Sequence, residues 1–201
     1  MATRNRYYNI EGTIRSGFKL SRDYETLDFS FIKLNDDGVR ALVGSRSIKQ
    51  LKRLTINNNK LTHESGLAIA ESKWLGNLQS LKLYRNKIGH EGLKALTESD
   101  KLPSLKSLRL AHNQIGPEGA KFVAESKNFG GLTSLGLSEN NLGDEGIKYL
   151  AGAQNLKELE ILDLRNNNIT DDGATVFSTC TNFPNIQKVE LSDNKLTEVG
   201  E

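Results

Sequence analysis

The chain of 201 residues contains one cysteine, Cys180, so no disulfide can form within it. That usage suits a reducing compartment. No stretch approaches the roughly 18 consecutive apolar residues of a membrane-spanning helix. Neither sign of charge dominates, since 27 basic and 25 acidic residues leave a formal net charge of +2. So even a balance does not by itself point to nucleic acid or an anionic membrane, and neither is expected as a partner. The first 23 residues are polar and basic (Arg4, Arg6, Arg15, Lys19, Arg22) and have no apolar core of the kind a secretory signal carries. The three histidines, His63, His90 and His112, show no third ligand at metal spacing. No phosphate-cradling G-x-x-x-x-G-K-[ST] or G-x-G-x-x-G stretch occurs, and no Ser/His/Asp set can be placed from spacing. These absences leave no expected cofactor, metal or catalytic residue. They favour a non-catalytic protein in a reducing cytoplasm.

What is present is a repeat. The unit L-x-x-L-x-L-x-x-N-x-L opens at Tyr24, Leu51, Leu78, Leu105, Leu132, Leu159 and Ile186, each 27 residues after the last. One such unit cannot bury its apolar face alone, so neighbours must stack and the chain becomes a solenoid. Let the opening residue of each unit be position 0. Positions 3 and 5 are apolar in all seven copies, as in Leu81/Leu83 and Leu135/Leu137. Such alternation marks a short strand with one buried face. Stacked copies then pair in parallel, giving an inner sheet about 29 Å long at the usual strand spacing.

Position 8 is Asn in six copies, Asn59, Asn86, Asn113, Asn140, Asn167 and Asn194, with Ile32 in the first. A side-chain amide both donates and accepts, so a column of them satisfies the backbone of a buried turn. Position 13 is acidic in six copies, Asp37, Glu64, Glu91, Glu118, Glu145 and Asp172, and Gly usually follows. A carboxylate ahead of apolar residues at i, i+3 marks the start of a helix. Position 21 is small in six copies (Ser45, Ser72, Ser99, Ser126, Ala153, Cys180), which makes Cys180 a filler of a small slot rather than a nucleophile.

This pattern resembles the leucine-rich repeat superfamily, and the long unit with a full helix is similar to the ribonuclease-inhibitor-like class, which includes the repeat regions of NOD-like receptors and Ran GTPase-activating proteins. The resemblance covers residues 24–201. It implies an α/β horseshoe of seven 27-residue units, with a parallel sheet on the concave face and helices on the convex face. It also implies a protein-binding role, either as an enzyme inhibitor or regulator or in the style of repeat proteins that intracellular bacteria deliver into the host cytosol. The same resemblance leaves two alternatives, a GTPase-activating protein of the Ran type and a ligand-sensing fragment of a larger receptor. The seventh copy stops at Gly200-Glu201, where its helix is expected, so either a capping segment follows or the last strand is partly exposed. Residues 1–23 are not a repeat. Tyr7, Tyr8, Ile10, Ile14 and Phe18 flank Gly12 and Gly17, and the expectation is a hairpin-like cap over the first unit.

Positions 2, 4 and 6 of each strand face away from the core, and position 7 follows at the strand end. In units 2 to 4 these positions hold Arg53, Lys82, Tyr84, Arg85, Arg109 and His112. From unit 5 onward they hold Glu139, Asp163, Arg165 and Glu190. The face therefore changes from basic to mostly acidic along its length. Like charges so close oppose folding slightly, which points to a partner of opposite sign, with an acidic patch facing units 2 to 4. Tyr and Arg are favoured interface anchors. Phe31 stands at position 7 of unit 1 and is either an exposed contact or packed beneath the cap. Trp74, at position 23 of unit 2, is either a second contact or packed against a neighbouring loop. The free protein is expected to be a monomer.

Overall fold

The computed structural model describes residues 9–197. Seven strands, β1 Thr26–Asp28, β2 Arg53–Thr55, β3 Ser80–Lys82, β4 Ser107–Arg109, β5 Ser134–Gly136, β6 Ile161–Asp163 and β7 Lys188–Glu190, form one sheet in chain order. Every pair is parallel and steps by one repeat, so Leu27 faces Leu54, Leu54 faces Leu81, and the row continues to Leu162 and Val189. The helices α2 Asp36–Gly44, α3 His63–Ala70, α4 Gly89–Glu98, α5 Gly116–Glu125, α6 Gly143–Ala151 and α7 Asp171–Ser178 form the other wall. The repeated leucines fill the space between the walls as one continuous core, with Leu54, Leu81, Leu108, Leu135 and Leu162 fully buried. The result is the expected α/β leucine-rich repeat solenoid.

The asparagine column closes the turns. The Nδ2 of Asn113 donates to Leu110 O in its own unit and to Leu83 O in the unit before, at 3.0 and 2.9 Å. Its Oδ1 accepts from the Ile88 backbone N–H at 3.2 Å. Asn86, Asn140 and Asn167 repeat the double donation. Every such amide satisfies backbone groups of two units, which is what a buried turn without water requires. Ile32 stands in the column's first place, where no earlier unit needs a donor.

At position 11, where unit 1 has Asn35 as the cap of α2, units 2 to 7 are built in two ways. In units 3, 4 and 5 position 11 is Gly89, Gly116 or Gly143, each at φ of 60 to 64°. The glycine N–H donates to the Asn carbonyl of the next unit at 2.9–3.0 Å. Positive φ strains a residue with a β-branched side chain, so glycine belongs there. In units 2, 6 and 7 position 11 is Thr62, Thr170 or Thr197. An aspartate from the preceding unit, Asp36, Asp144 or Asp171, accepts from both its N–H and its hydroxyl at 2.6–2.9 Å.

The hairpin expected over residues 1–23 is not what forms. Residues Ile10–Ser21 are a helix, α1. Asn9 caps it by accepting from Gly12 N–H at 2.9 Å. Ile10, Ile14 and Phe18 recur every four residues and face the first unit, a helical spacing. Gly17 is a contact glycine rather than a turn glycine, since a Cβ there would lie 2.7 Å from Leu27 and 2.8 Å from Phe29. The helix ends at Arg22 in the left-handed region, φ 57°. Tyr7, Tyr8 and the expected seventh helix start at Gly200 lie outside the described residues.

Candidate protein-binding face

Three-residue strands are short, but the hydrogen-bond ladder runs past them. The N–H of position 7 donates to the carbonyl of position 6 in the next unit: Phe31 to Asn57, Asn58 to Tyr84, Arg85 to Ala111, His112 to Ser138, Glu139 to Arg165 and Asn166 to Ser192, at 2.8–3.1 Å. All seven position-7 residues have positive φ, from 51 to 62°. A side chain at position 7 is thereby carried on a twisted turn at the rim of the sheet, in a row that parallels the strand stacking. Sequence spacing placed these residues on one face but did not reveal the left-handed backbone that orients them.

The charged residues divide into two kinds. Units 5 to 7 are knitted internally. Arg165 donates to both oxygens of Asp163 at 2.9 and 2.7 Å and stands 3.8 Å from Glu190, which also meets Lys188. Burial would raise the Asp163 carboxyl, but the bonds from Arg165 outweigh it and hold that carboxyl below its usual range. The same bonds raise Arg165. His112 Nδ1 lies 3.2 Å from Glu139 Oε2, and Arg53 is drawn toward the cap by Asp23 at 3.1 Å and by the Thr26 hydroxyl at 2.9 Å.

Lys82, Arg85 and Arg109 are different. All three are exposed and, among the described residues, none has an ion pair or a side-chain hydrogen bond. Lys82 and Arg109 are register neighbours in β3 and β4, one strand spacing of about 4.8 Å apart. Their repulsion costs tenths of a kcal/mol when solvated. Tyr84, beside them at position 6, is 38% exposed. Phe31 is 67% exposed, so it is not packed beneath the cap, and Ile32 next to it is 47% exposed.

Trp74 belongs to the other wall. Its indole N–H donates to Gly44 O at 3.1 Å, at the end of α2, and Arg46 lies 5.9 Å over the ring. Asn128, Asn155 and Asn182 hold the same position in later units, and each donates to the end of the preceding helix. Position 23 thus asks for a donor, which indole supplies. Trp74 also walls a groove of about 480 Å³ between α2 and α3, remote from the sheet face. His63 sits between Glu64 and Glu91 at 3.5 and 3.9 Å, away from His112. Among the described residues no group of three or more His, Cys, Asp or Glu could hold a metal, and no helix is long and apolar enough to cross a membrane.

A solenoid of strand–asparagine turn–helix units, with a polar sheet face, defines the class. The chain is a leucine-rich repeat protein: the Leucine Rich repeat family model matches residues 77–96, 101–124, 132–151 and 155–178. Among solved structures, InlP from Listeria monocytogenes superposes with a TM-score of 0.61 at 16% identity, over 93% of this chain and 52% of that one. This chain therefore spans about half the length of InlP. The tropomodulin C-terminal domain from Caenorhabditis elegans gives a TM-score of 0.53 at 15% identity, over 72% of this chain and 90% of that one. At such identities the likeness is one of fold alone. No curated protein sequence matches the chain. Leucine-rich repeats are in general modules for protein–protein interaction.

Proposed function

We propose that this protein is a non-catalytic module that binds a folded protein partner through its sheet face, inhibiting or regulating that partner. The observation that supports this most is the group Lys82, Arg85 and Arg109. These cations stand close together on a rigid sheet without a counter-ion among the described residues, while the acids of units 5 to 7 are largely met by cations of their own chain. Unmet charge adds nothing to the fold and complements an acidic surface on a partner. Tyr84 adds an aromatic anchor within the same patch. The short strands and shared turns hold these side chains in place before binding, so little ordering entropy is lost. Asp163, Arg165 and Glu190 belong to a paired network whose contribution is secondary, and Trp74 serves the opposite wall. The reducing cytoplasm, of the producing cell or of a host, is the compartment that the single cysteine fits.

The test begins with capture of the partner by the wild-type chain, from the native organism or its host, identified by mass spectrometry. The double variant Arg85→Glu/Arg109→Glu should then bind that partner at least tenfold more weakly in a titration, with a nearly unchanged melting temperature. Equal affinity would place the interface elsewhere. Acceleration of GTP hydrolysis by catalytic amounts of this protein, with any candidate GTPase, would defeat the non-catalytic reading.

A further inference from the structure

The geometry points to a particular docking element: an extended acidic segment of the partner lies along the rim of units 1 to 4, with an apolar side chain against Phe31 and carboxylates against Arg85, Lys82 and Arg109. This rests on the reading that the sheet face binds protein, and it names which part of that face is used and by what chemistry.

Position 7 carries its own control, because seven copies of it share one backbone. The other six residues there are Asn58, Arg85, His112, Glu139, Asn166 and Asp193, all polar. Phe31 alone is aromatic. It is held at φ 62° by the bond from its N–H to Asn57 O, a conformation that Asn and Asp tolerate far better than a bulky residue does. The ring gains little burial in return, since it stays 67% exposed. A costly residue that the fold does not reward is a candidate for a contact outside the chain. Ile32 extends the apolar spot, and no asparagine is needed there at the first unit.

Charge complementarity sets the rest of the segment. Among the described residues, the sheet-face cations Lys82, Arg85 and Arg109 have no counter-ion and lie in units 3 and 4, on the Phe31 side of the sheet, whereas Asp163 and Glu190 of units 6 and 7 have cations close by. Position 7 of unit 1 and position 7 of unit 3 are two strand spacings apart, about 10 Å. Three residues of extended chain span that distance at about 3.3 Å each. An apolar residue followed by acidic residues three and four positions along would reach Phe31, Arg85 and the Lys82/Arg109 pair together.

The experiment uses the intact chain and short synthetic peptides. The probe is a blocked hexapeptide, Phe-Gly-Glu-Glu-Glu-Glu. Its controls carry Ala in place of Phe, or Lys in place of Glu. Amide shifts in ¹H–¹⁵N spectra should locate the acidic peptide at Phe31, Arg85 and Arg109, and the Phe form should bind at least fivefold tighter than the Ala form. The Lys form should not bind there. Phe31→Asn should abolish the fivefold advantage while the melting temperature stays level or rises, because Asn suits positive φ. A structural role for Phe31 would instead lower the melting temperature, and that result would overturn the inference. So would an unchanged Phe advantage in Phe31→Asn, shifts confined to units 5 to 7, or no binding of the acidic peptide at millimolar concentration. None of these outcomes touches the charge-reversal test with the captured partner, so the two readings fail separately.

Discussion

Between units 2 and 5 the chain enters each helix through a glycine at positive φ. Between units 1 and 2, and again from unit 5 to unit 7, position 11 is a threonine clasped by the aspartate of the unit before. The two joints close the same step. At the ends a carboxylate bridges the units. In the middle backbone meets backbone, and a Cβ on Gly66 of α3 would lie only 2.6 Å from the Cα of Gly92 in α4. The cations of the proposed binding patch sit in units 3 and 4, over the glycine joints. The central joints therefore have no titrating clasp beneath that patch, and its geometry does not depend on one.

The largest effect expected is one that both regions share but feel unequally. Asn113 is fully buried at the centre of the column, and Asn194 is half-exposed near its end. Asn113→Ala leaves the N–H of Ile88 unpaired away from water and takes one of two amide donors from the carbonyls of Leu83 and Leu110, which keep those of Asn86 and Asn140, and should cost about 2 kcal/mol or more. Asn194→Ala leaves groups that water reaches, and should cost about 1 kcal/mol. Denaturant midpoints with unchanged slope would measure both. Equal losses would mean that centre and end are not different environments.

A smaller effect separates the joints themselves. Gly66→Ala forces a methyl group against the backbone of Gly92 and should cost about 2 kcal/mol, as overpacking does. Thr62→Val removes one hydroxyl from an end joint and leaves the N–H bond to Asp36 in place, so the loss should be about 1 kcal/mol. If the valine variant proved the weaker of the two, the clasp rather than the close approach would be the stronger joint.

Much of the fold is legible in the 27-residue period. The period alone sets strand register, because Leu54 and Leu81 must face each other if every unit is alike. It also places the asparagine column. The two joints were equally open to inspection, though only by comparing columns: Asp at position 12 occurs wherever the next unit has Thr at position 11, and never where it has Gly. The cap was misread because Gly12 and Gly17 suggested turns, while the four-residue spacing of Ile10, Ile14 and Phe18 was the better guide. The face was legible in its membership and not in its pairing. Sign along the sequence does not say that Arg165 folds back two residues to Asp163, nor that Lys82 and Arg109 find no acid among the described residues. Those facts depend on side-chain reach across neighbouring strands. Trp74 was ambiguous because position 23 selects a hydrogen-bond donor, a property that Trp and Asn share and hydropathy does not show.

The smallest expected effect tests the end joints by pH. Burial would raise the Asp36 carboxyl, but bonds from Ser65 and Thr62 outweigh it and hold it below the usual range. Asp171 is lowered by the Thr197 hydroxyl and N–H. A carboxyl lowered in the folded state binds fewer protons there than in the unfolded chain. Its contribution is complete above the unfolded value of about 3.9 and is lost as pH falls through the folded value. The variant Asp36→Asn removes that titration and keeps the shape. Its melting temperature should lie below that of the parent at pH 6, by a gap that at least halves by pH 3, while the gap between Gly66→Ala and the parent stays constant. Taking differences cancels the other carboxylates of the chain. A gap for Asp36→Asn that does not narrow would mean that the charge of Asp36 contributes nothing to the clasp, and the ends would then differ from the middle in shape alone.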